Sequence, residues 1–274
     1  MNNKHRAVWA VGALILVFLA LLIWYMWTHP APRALAPGDV ATTTPPTLVG
    51  EPLHIIDNGK HYEIDAAYPS ATPLHGSAGA EADTAAVGIM RGFAQKTIDA
   101  FKEENQLTTM TDEEFAELTF GRDAMYAMDI DYKLYEGSKT VSYVYAIYQD
   151  TMGAHPNTYY RTFTFDKASG EALELADLFA PGAQYLERLS VRTRADLPKI
   201  MAKMGEITPA EVDTDYINSG TLPIADSFGN FAVDDANLVM IFPPYQVGPY
   251  VYGTIEVPIP LSSLSDILNP KYRP

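Results

Sequence analysis

The 274-residue chain contains no cysteine. This absence excludes disulfides, catalytic thiolates and the thiolate ligands of structural zinc sites. Basic residues are also scarce, since 19 Lys and Arg stand against 34 Asp and Glu and give a formal charge of −15. Because a nucleic-acid binder needs a cationic surface that replaces counterions, this charge excludes nucleic acid as a partner.

The sequence motifs of common catalytic and metal sites are missing as well. No nucleophile elbow, Walker loop, dinucleotide-binding glycine motif or H-E-x-x-H zinc motif occurs. The six histidines do not form a tight metal-ligand spacing. We therefore expect no catalytic residue, no metal and no cofactor.

A long apolar run lies close to the N-terminus. Residues 7–27 form an uncharged run of 21 residues, which is enough to cross the roughly 30 Å hydrocarbon core of a bilayer. Lys4 and Arg6 precede it, and no acidic residue occurs before Asp39. The positive-inside rule then predicts a single-pass protein of the cell membrane, with residues 1–6 in the cytoplasm and the rest outside.

A cleaved signal peptide is the alternative to this uncleaved anchor. The sequence Ala34-Leu35-Ala36 has the small residues that a signal peptidase requires. The apolar run, however, exceeds the roughly 7–15 residues of a signal-peptide core, which favours the anchor. Both interpretations export the same body, whose formal charge is −17 once Lys4 and Arg6 are removed from the total of −15.

The exported part begins with a linker and continues as folded protein. Residues 28–52 are rich in proline and threonine, so we expect an extended segment. Beyond it, runs of strands alternate with helices that begin at capping boxes at Thr111 and Thr208. This order predicts an α+β fold, an antiparallel sheet with packed helices, divided into a smaller domain at 53–135 and a C-terminal domain at 136–269.

Three local expectations follow from proline, glycine and leucine positions. Pro198 should break or restart the helix predicted at 183–204, because proline lacks the amide donor and clashes with the preceding turn. Gly153 should supply a positive φ in the loop between two strands. Residues 261–268 should form a last helix that buries its leucines.

Carboxylates and tyrosines on the predicted strands have two possible roles. Asp129 and Asp131 lie two apart on one strand face, where they form either an acid–base pair or, more simply, the polar face of the strand. Asp213 and Asp215 suggest an acidic helix start rather than a calcium loop. The tyrosines clustered on two neighbouring strands can pack in the core or stack on sugars, with core packing favoured: Tyr143, Tyr145, Tyr148, Tyr159 and Tyr160.

Two sequence patterns occur together in the second half of the chain. The first is Met-Gly-Ala-His-Pro at 152–156, followed by Phe-Thr-Phe-Asp at 163–166 and Leu-Ala-Asp-Leu-Phe at 175–179. The second is Ile-Phe-Pro-Pro-Tyr-Gln-Val-Gly-Pro-Tyr at 241–250, followed by Val-Pro-Ile-Pro at 257–260. This combination resembles the extracellular domain shared by RsiV-type anti-sigma factors and PdaC-type peptidoglycan deacetylases.

The resemblance implies a binding or sensing module of the cell envelope without catalysis. Its expected ligand is a basic, lysozyme-like protein or peptidoglycan. The six residues before the apolar run are too few to hold a sigma factor, and we expect no separate deacetylase domain. The residues of the two patterns that we expect to contact a ligand are Gly153, Ala154, His155, Pro156, Tyr245, Pro249 and Tyr250.

Two alternatives remain open at this point. The first is a cell-wall hydrolase or deacetylase that uses Asp129, Asp131 or His155. The second is a structural protein of the envelope. His155 itself is either a hydrogen-bonded brace of its loop or a contact residue, and the brace is favoured because no second titratable group is visibly paired with it.

Overall fold

The computed structural model describes residues 50–74, 79–122 and 124–274. The predicted cytoplasmic stub, the apolar run at 7–27 and all of the 28–52 linker before Gly50 lie outside these ranges. Within the ranges, no helix combines the length and the apolar composition that a bilayer span requires. The membrane anchor therefore stays a prediction.

The main sheet has six strands arranged in the order of the chain. They are β1 (Leu53–Ile56), β2 (Tyr62–Tyr68), β3 (Tyr126–Glu136), β4 (Thr140–Asp150), β5 (Asn157–Asp166) and β6 (Ala172–Leu173). Neighbouring strands run antiparallel except β2 and β3, which run parallel. Parallel neighbours need a long crossover, and two helices supply it here. The fold is therefore mixed α+β, and the predicted antiparallel pairing holds for every pair but this one.

The burial of the central strands follows from their sequences. Strand β3 alternates, with Met128, Ile130 and Leu134 buried and Asp129 and Asp131 exposed. Strand β4, which is rich in β-branched and aromatic residues, is buried on both faces over most of its length, as predicted for a central strand. A layer of structure therefore packs on each face of the main sheet.

Helices α1 (Gly79–Glu104) and α2 (Asp112–Thr119) cover one face. The buried positions of α1 recur at helical spacing and contact the inward residues of the strands: Ala86, Met90, Ala94, Ile98 and Phe101. Helix α2 begins at the predicted capping box. The Thr111 hydroxyl accepts from the Glu114 N–H at 3.2 Å, and the Glu114 carboxylate accepts from the Thr111 N–H at 2.8 Å.

A second, antiparallel sheet packs on the opposite face. Its strands are β7 (Phe231–Val233), β8 (Asn237–Phe242) and β9 (Ile255–Pro260). Ala232 and Ile241 of this sheet contact Val144 of the main sheet. The Val233 N–H donates to the buried Ser142 hydroxyl at 3.0 Å. Side chains of the main sheet thus satisfy backbone groups of the second sheet and fix how the two sheets pack.

Helices α3 (Tyr185–Gly205) and α4 (Thr214–Gly220) cover the outer side of the second sheet. The core between them includes Leu189, Leu197 and Met201 of α3 and Met240 and Phe242 of β8. The order of layers is therefore helix, sheet, sheet, helix.

Helix α3 continues through Pro198, so the break predicted there is wrong. A proline inside a helix costs about 3 kcal/mol through its missing hydrogen bond and the steric clash. On either side of it, Leu197 and Met201 are fully buried, and so is Thr193 one turn earlier. Burial of each large apolar side chain contributes about 1.5–3 kcal/mol, and this packing outweighs the cost of the proline.

The helix predicted at 261–268 is also wrong. Only Leu261–Leu264 is helical, as a single 3-10 turn. The following residues form a turn on the Leu264 carbonyl and then bond to another segment. The Ala180 N–H donates to the Ile267 carbonyl at 2.8 Å, and the Asn269 N–H donates to the Leu178 carbonyl at 2.9 Å. The leucines are nevertheless buried, as the pattern indicated.

The predicted domain boundary between residues 135 and 136 falls next to the turn that joins β3 and β4. These two strands pair along their length, as far as Glu136 opposite Val141. The first large hydrophobic core lies between α1 and the main sheet, and the second lies between α3 and the second sheet. Their residues separate farther along the chain, between Phe165 and Leu173. The assignment of two domains stays a prediction.

Candidate ligand-binding site

Two loops carry the residues of the two sequence patterns. The first loop, residues 151–156, joins β4 to β5, and the second loop, residues 243–254, joins β8 to β9. The ring of His155 contacts the rings of Tyr245 and Tyr250. The packing of the second sheet on the first thus brings together residues that are about 90 positions apart in sequence.

The first loop is held by a strained residue that the sequence did not indicate. Met152, rather than Gly153, has a left-handed backbone with φ of 60°, so the prediction for Gly153 is wrong. The Met152 N–H donates to the Asp150 carboxylate at 2.8 Å, and the Met152 side chain packs against the first core. Gly153 and Ala154 are exposed beside His155.

The centre of the second loop is fixed to the helical layer. The Gln246 side-chain amide donates to the carbonyls of Gly220 at 3.0 Å and Ser227 at 2.9 Å. Val247 is buried. A Cβ on Gly220 would lie 1.9 Å from the Gln246 carbonyl oxygen, so this close approach requires glycine. The loop backbone is therefore held in place independently of its exposed side chains.

Tyr245 and Tyr250 project from either side of this fixed centre, with exposed fractions of 49% and 38%. Tyr245 has a φ of 70°, a left-handed conformation that is strained for any residue with a Cβ. Tyr250 begins a 3-10 turn that follows Pro249. Aromatic side chains on a fixed loop lose little conformational freedom when they bind, so such an arrangement favours recognition.

His155 joins the two tyrosines. Its ring stacks on Tyr250 with centroids 4.5 Å apart and planes at 27°. Its Nδ1 lies 2.8 Å from the Pro156 carbonyl and its Nε2 lies 3.2 Å from the Tyr245 hydroxyl. A carbonyl only accepts, so Nδ1 carries the proton and the Tyr245 hydroxyl donates to Nε2 in the neutral ring. We refer to His155, Tyr245 and Tyr250 as the aromatic cluster.

The hydrogen bonds of the aromatic cluster fit the interpretation of His155 as a brace. Both ring nitrogens are engaged within the protein, and the Tyr250 hydroxyl also donates to the Pro156 carbonyl at 3.3 Å. His155 is nevertheless exposed, so its ring still contributes to the surface. The predicted contact residues thus include two projecting rings and the residue that orients them.

Strand pairing adds Asp65 to the site together with Tyr148, one of the clustered tyrosines, for which the favoured packing in the core is wrong. Asp129 lies opposite Asp65 of β2 and Tyr148 of β4. Tyr148 is 38% exposed. Partial burial raises the pKa of its hydroxyl, and the nearby Asp150, Tyr250 and Asp129 raise it further. Tyr148 therefore connects the aromatic cluster to the carboxylates, a neighbourhood that depends on strand register and has no local sequence signal.

The predicted polar face of β3 is confirmed, because Asp129 and Asp131 are both exposed. Burial raises the pKa of the Asp129 carboxyl, the carboxylates of Asp65 and Asp131 raise it further, and His54 opposes them. We refer to Asp65, Asp129, Asp131 and Tyr148 as the open face. An acid–base role for the two aspartates stays a prediction.

Other candidates from the sequence have structural roles. Asp213 is the N-cap of α4 and accepts from the Asp215 N–H at 2.9 Å, as expected for an acidic helix start. Tyr143 and Tyr145 are buried in the first core. Among the residues that the structure describes, no three His, Asp or Glu side chains are grouped to hold a metal.

A cavity of about 790 Å³ lies elsewhere, beside Phe179, Tyr185 and Lys271. None of the residues that the sequence predicted to contact a ligand lines this cavity. The aromatic cluster and the open face are therefore surface features rather than the walls of this pocket.

One match to known proteins includes the second loop. Residues 176–262, which include this loop, match the family DUF3298, described as a protein family of unknown function. The chain is also 29% identical over 184 residues to the peptidoglycan-N-acetylmuramic acid deacetylase PdaC of Bacillus subtilis. The resemblance to the PdaC-like DUF3298 family is confirmed. The match covers 67% of this chain but only 36% of PdaC.

Two further similarities extend beyond the DUF3298 match. The chain is 23% identical over 258 residues to an esterase of Mycobacterium tuberculosis, which covers 93% of the chain and 96% of the esterase. The fold is similar to the crystal structure of a DUF3298 protein from Bacteroides fragilis, with a TM-score of 0.56 and 16% identity, over 81% of this chain and 93% of that one. The second similarity is one of fold alone.

Proposed function

We propose that this chain is a membrane-anchored protein of the cell envelope whose exported body binds a cell-wall ligand through the aromatic cluster. The DUF3298 match and the similarity to a peptidoglycan deacetylase support a role in the envelope. The predicted anchor at residues 7–27 and its predicted orientation support a body outside the cytoplasm. The ligand that we favour is the glycan of peptidoglycan.

The observation that carries this proposal is the convergence of the two loops. Each contributes aromatic rings to one exposed surface, and the Gln246 contacts hold the second loop in place before any ligand arrives. Exposed tyrosines offer flat apolar faces with a polar edge, which suit the alternating apolar and hydroxyl surfaces of a sugar ring. The strain at Tyr245 is typical of a functional loop.

Binding without catalysis is favoured by the hydrogen bonds of His155. Its Nδ1 donates to a backbone carbonyl instead of a carboxylate, and its Nε2 faces a tyrosine hydroxyl rather than a serine. The base and its orienting group that a hydrolytic triad requires are therefore not assembled around this histidine.

Sedimentation with insoluble peptidoglycan tests the proposal, using the full-length chain kept in detergent. We expect the wild type to co-sediment and a variant with Tyr245→Ala and Tyr250→Ala to stay in solution. Phe120→Ala is the matched control, because Phe120 is an aromatic residue with 86% exposure that follows α2. Failure of the wild type to sediment, or equal sedimentation of all three proteins, would contradict the proposal.

A basic, lysozyme-like protein is a second candidate ligand, and the formal charge of −15 favours it. Opposite net charges steer encounter and raise the association rate. Calorimetric titration with a C-type lysozyme at two salt concentrations tests this candidate. Binding that weakens with salt would support it, and an absence of binding would remove it.

An ester-hydrolysing or deacetylating activity is the alternative from the enzyme class. The similarity to an esterase over nearly the whole chain favours it. Turnover of aryl esters or peptidoglycan fragments by the wild type, lost in His155→Ala or Asp131→Asn, would establish this alternative. No turnover in protein that still binds peptidoglycan would leave binding as the function.

A further inference from the structure

The second sheet covers only part of the main-sheet face that lies opposite helix α1. The second sheet covers the end of β3 that carries Lys133 and Tyr135, and both side chains bond to Glu256 of β9, at 3.2 Å from the Lys133 amine and 2.6 Å from the Tyr135 hydroxyl. At the other end of the same strand face, Asp129 and Asp131 are exposed. The open face therefore begins where the second sheet ends.

The negative charge of the open face is only partly compensated within the described residues. Among the described residues, neither Asp129 nor Asp131 forms an ion pair, and the third carboxylate, Asp65, lies 2.6 Å from His54. Asp65 is the direct cross-strand neighbour of Asp129, and like charges in this position repel each other. A bound cation would relieve this repulsion.

An aromatic ring lies directly beside these carboxylates. Tyr148 is the cross-strand partner of Asp129, and side chains in such positions have Cβ atoms about 5 Å apart. That separation matches one sugar ring lying on the tyrosine with a ring substituent reaching the carboxylate. Tyr148 also lies two residues before the end of β4, where the first loop begins, so the open face adjoins the aromatic cluster.

We propose that the open face and the aromatic cluster together recognise glycan chains whose amino sugars carry free, protonated amines, in preference to N-acetylated chains. The tyrosines contact the sugar faces, and Asp129 and Asp131 accept hydrogen bonds from the ammonium groups, which are stronger than bonds from a neutral acetamide. This inference rests on the proposed function, because it names the class of wall glycan that the site prefers.

The test is a calorimetric titration of the full-length chain in detergent, at low salt and at a mildly acidic pH where the amine is protonated. The probes are oligosaccharides of glucosamine and of N-acetylglucosamine with the same length. We expect the glucosamine chain to bind about tenfold more tightly, because exposed charge pairs add only modestly to affinity. The preference should decrease as salt is added.

Two sets of variants separate the charged and the aromatic contributions. Asp129→Asn combined with Asp131→Asn should remove the preference for the amine, so that the two oligosaccharides bind with similar affinity. Tyr250→Ala should weaken the binding of both oligosaccharides. The control is Glu113→Gln combined with Glu117→Gln, which removes the same charge from exposed positions of α2 and should change neither affinity.

The outcomes distinguish this inference from the function on which it rests. Equal binding of the two oligosaccharides would overturn the inference and leave wall binding intact. If neither oligosaccharide nor peptidoglycan binds, both are wrong. If only a basic protein such as hen lysozyme binds and Asp129→Asn weakens it, the open face is a protein-docking surface and the inference is overturned.

Discussion

Asp166 and Asp129 lie in the same sheet, but their carboxylates have opposite surroundings. Asp166 ends β5 and is 1% exposed. Its carboxylate accepts from the Lys271 amine at 2.7 Å, from the Tyr272 hydroxyl at 2.9 Å and from the Ser169 N–H at 2.9 Å. Every direction from this carboxylate is thus occupied by a donor, and the C-terminal residues are held against the sheet.

Asp129 has the contrary surroundings. It is exposed, and its nearest charged neighbours include two further carboxylates, Asp65 and Asp131. One aspartate thus has donors that the fold supplies, whereas the other has two carboxylates beside it, with His54 opposing them. The difference indicates that Asp166 stabilises the fold and that Asp129 is available to a ligand, a distinction that residue type alone does not make.

The largest effect on stability should come from Asp166→Ala. Removing the buried carboxylate leaves the Tyr272 hydroxyl and the turn donors without their acceptor, which costs about 1–3 kcal/mol for each buried donor, whereas Lys271 is half exposed and stays hydrated. Unfolding in urea measures this loss. Asp266→Ala is the control, since Asp266 forms an exposed pair with Arg188 and its removal should cost much less. Equal losses in the two variants would show that the Asp166 network does not stabilise the fold.

The pH dependence of stability should also show that the Asp166 carboxylate stabilises the fold. Burial raises the pKa of Asp166, but hydrogen bonds from Lys271, Ser169 and Tyr272 outweigh it and lower the pKa to about 2. Because the folded-state pKa lies below the ordinary 3.8, the stabilisation is complete above about pH 4 and is lost as the pH falls towards about 2. The stability gap between wild type and Asp166→Asn should narrow across this range. A constant gap would contradict the assignment.

Gly220→Ala should disturb the fixed centre of the second loop. The added methyl would lie 1.9 Å from the Gln246 carbonyl oxygen, and forcing the backbone apart costs about 1–3 kcal/mol. We expect a lower melting temperature together with weaker binding to peptidoglycan. Gly88→Ala is a control with open space around the new methyl, and it should not destabilise the protein. Unchanged binding in Gly220→Ala would argue against a preorganised loop.

Tyr250→Ala should affect binding more than stability. The side chain is partly exposed, and the loss of one stacked ring is worth about 0.5–1.5 kcal/mol, or up to about tenfold in affinity. Sedimentation at several peptidoglycan concentrations measures this change. A similar loss of affinity and of unfolding free energy would indicate that Tyr250 only packs against His155.

Asp129→Asn should have the smallest effect on the free energy of unfolding. It should raise this free energy, whereas Asp166→Ala should lower it. It removes the repulsion from Asp65 and Asp131, so we expect a gain of roughly 0.5 kcal/mol in the free energy of unfolding near neutral pH. The gain should vanish in acid, because the raised pKa means that the folded protein disfavours the charged form. Destabilisation by this variant would show that Asp129 has a structural partner.

Local signals were sufficient to predict much of the fold. Alternation in β3, apolar content in β4 and the capping boxes at Thr111 and Thr208 all depend on neighbouring residues, and each is confirmed. Pro198 was misjudged because burial of Leu197 and Met201 is a tertiary effect that outweighs local propensity.

The candidate site was predictable only in part. The two patterns contain His155, Tyr245 and Tyr250, and their exposed positions agree with a surface role. Asp65 was missed and Tyr148 was expected in the core, because their place beside Asp129 is set by the register of three strands. Register depends on long-range pairing, so no short stretch of sequence contains it.

The most direct test of the central claim is to follow the histidine ring signals of the full-length chain by NMR while solubilised glycan strands of peptidoglycan are added. His61 is the internal reference, since it is buried against Phe115 of α2 on the other side of the main sheet. We predict that the His155 signals shift with saturation and that those of His61 do not. Unchanged His155 signals at saturating glycan would contradict the claim that the aromatic cluster is the binding site.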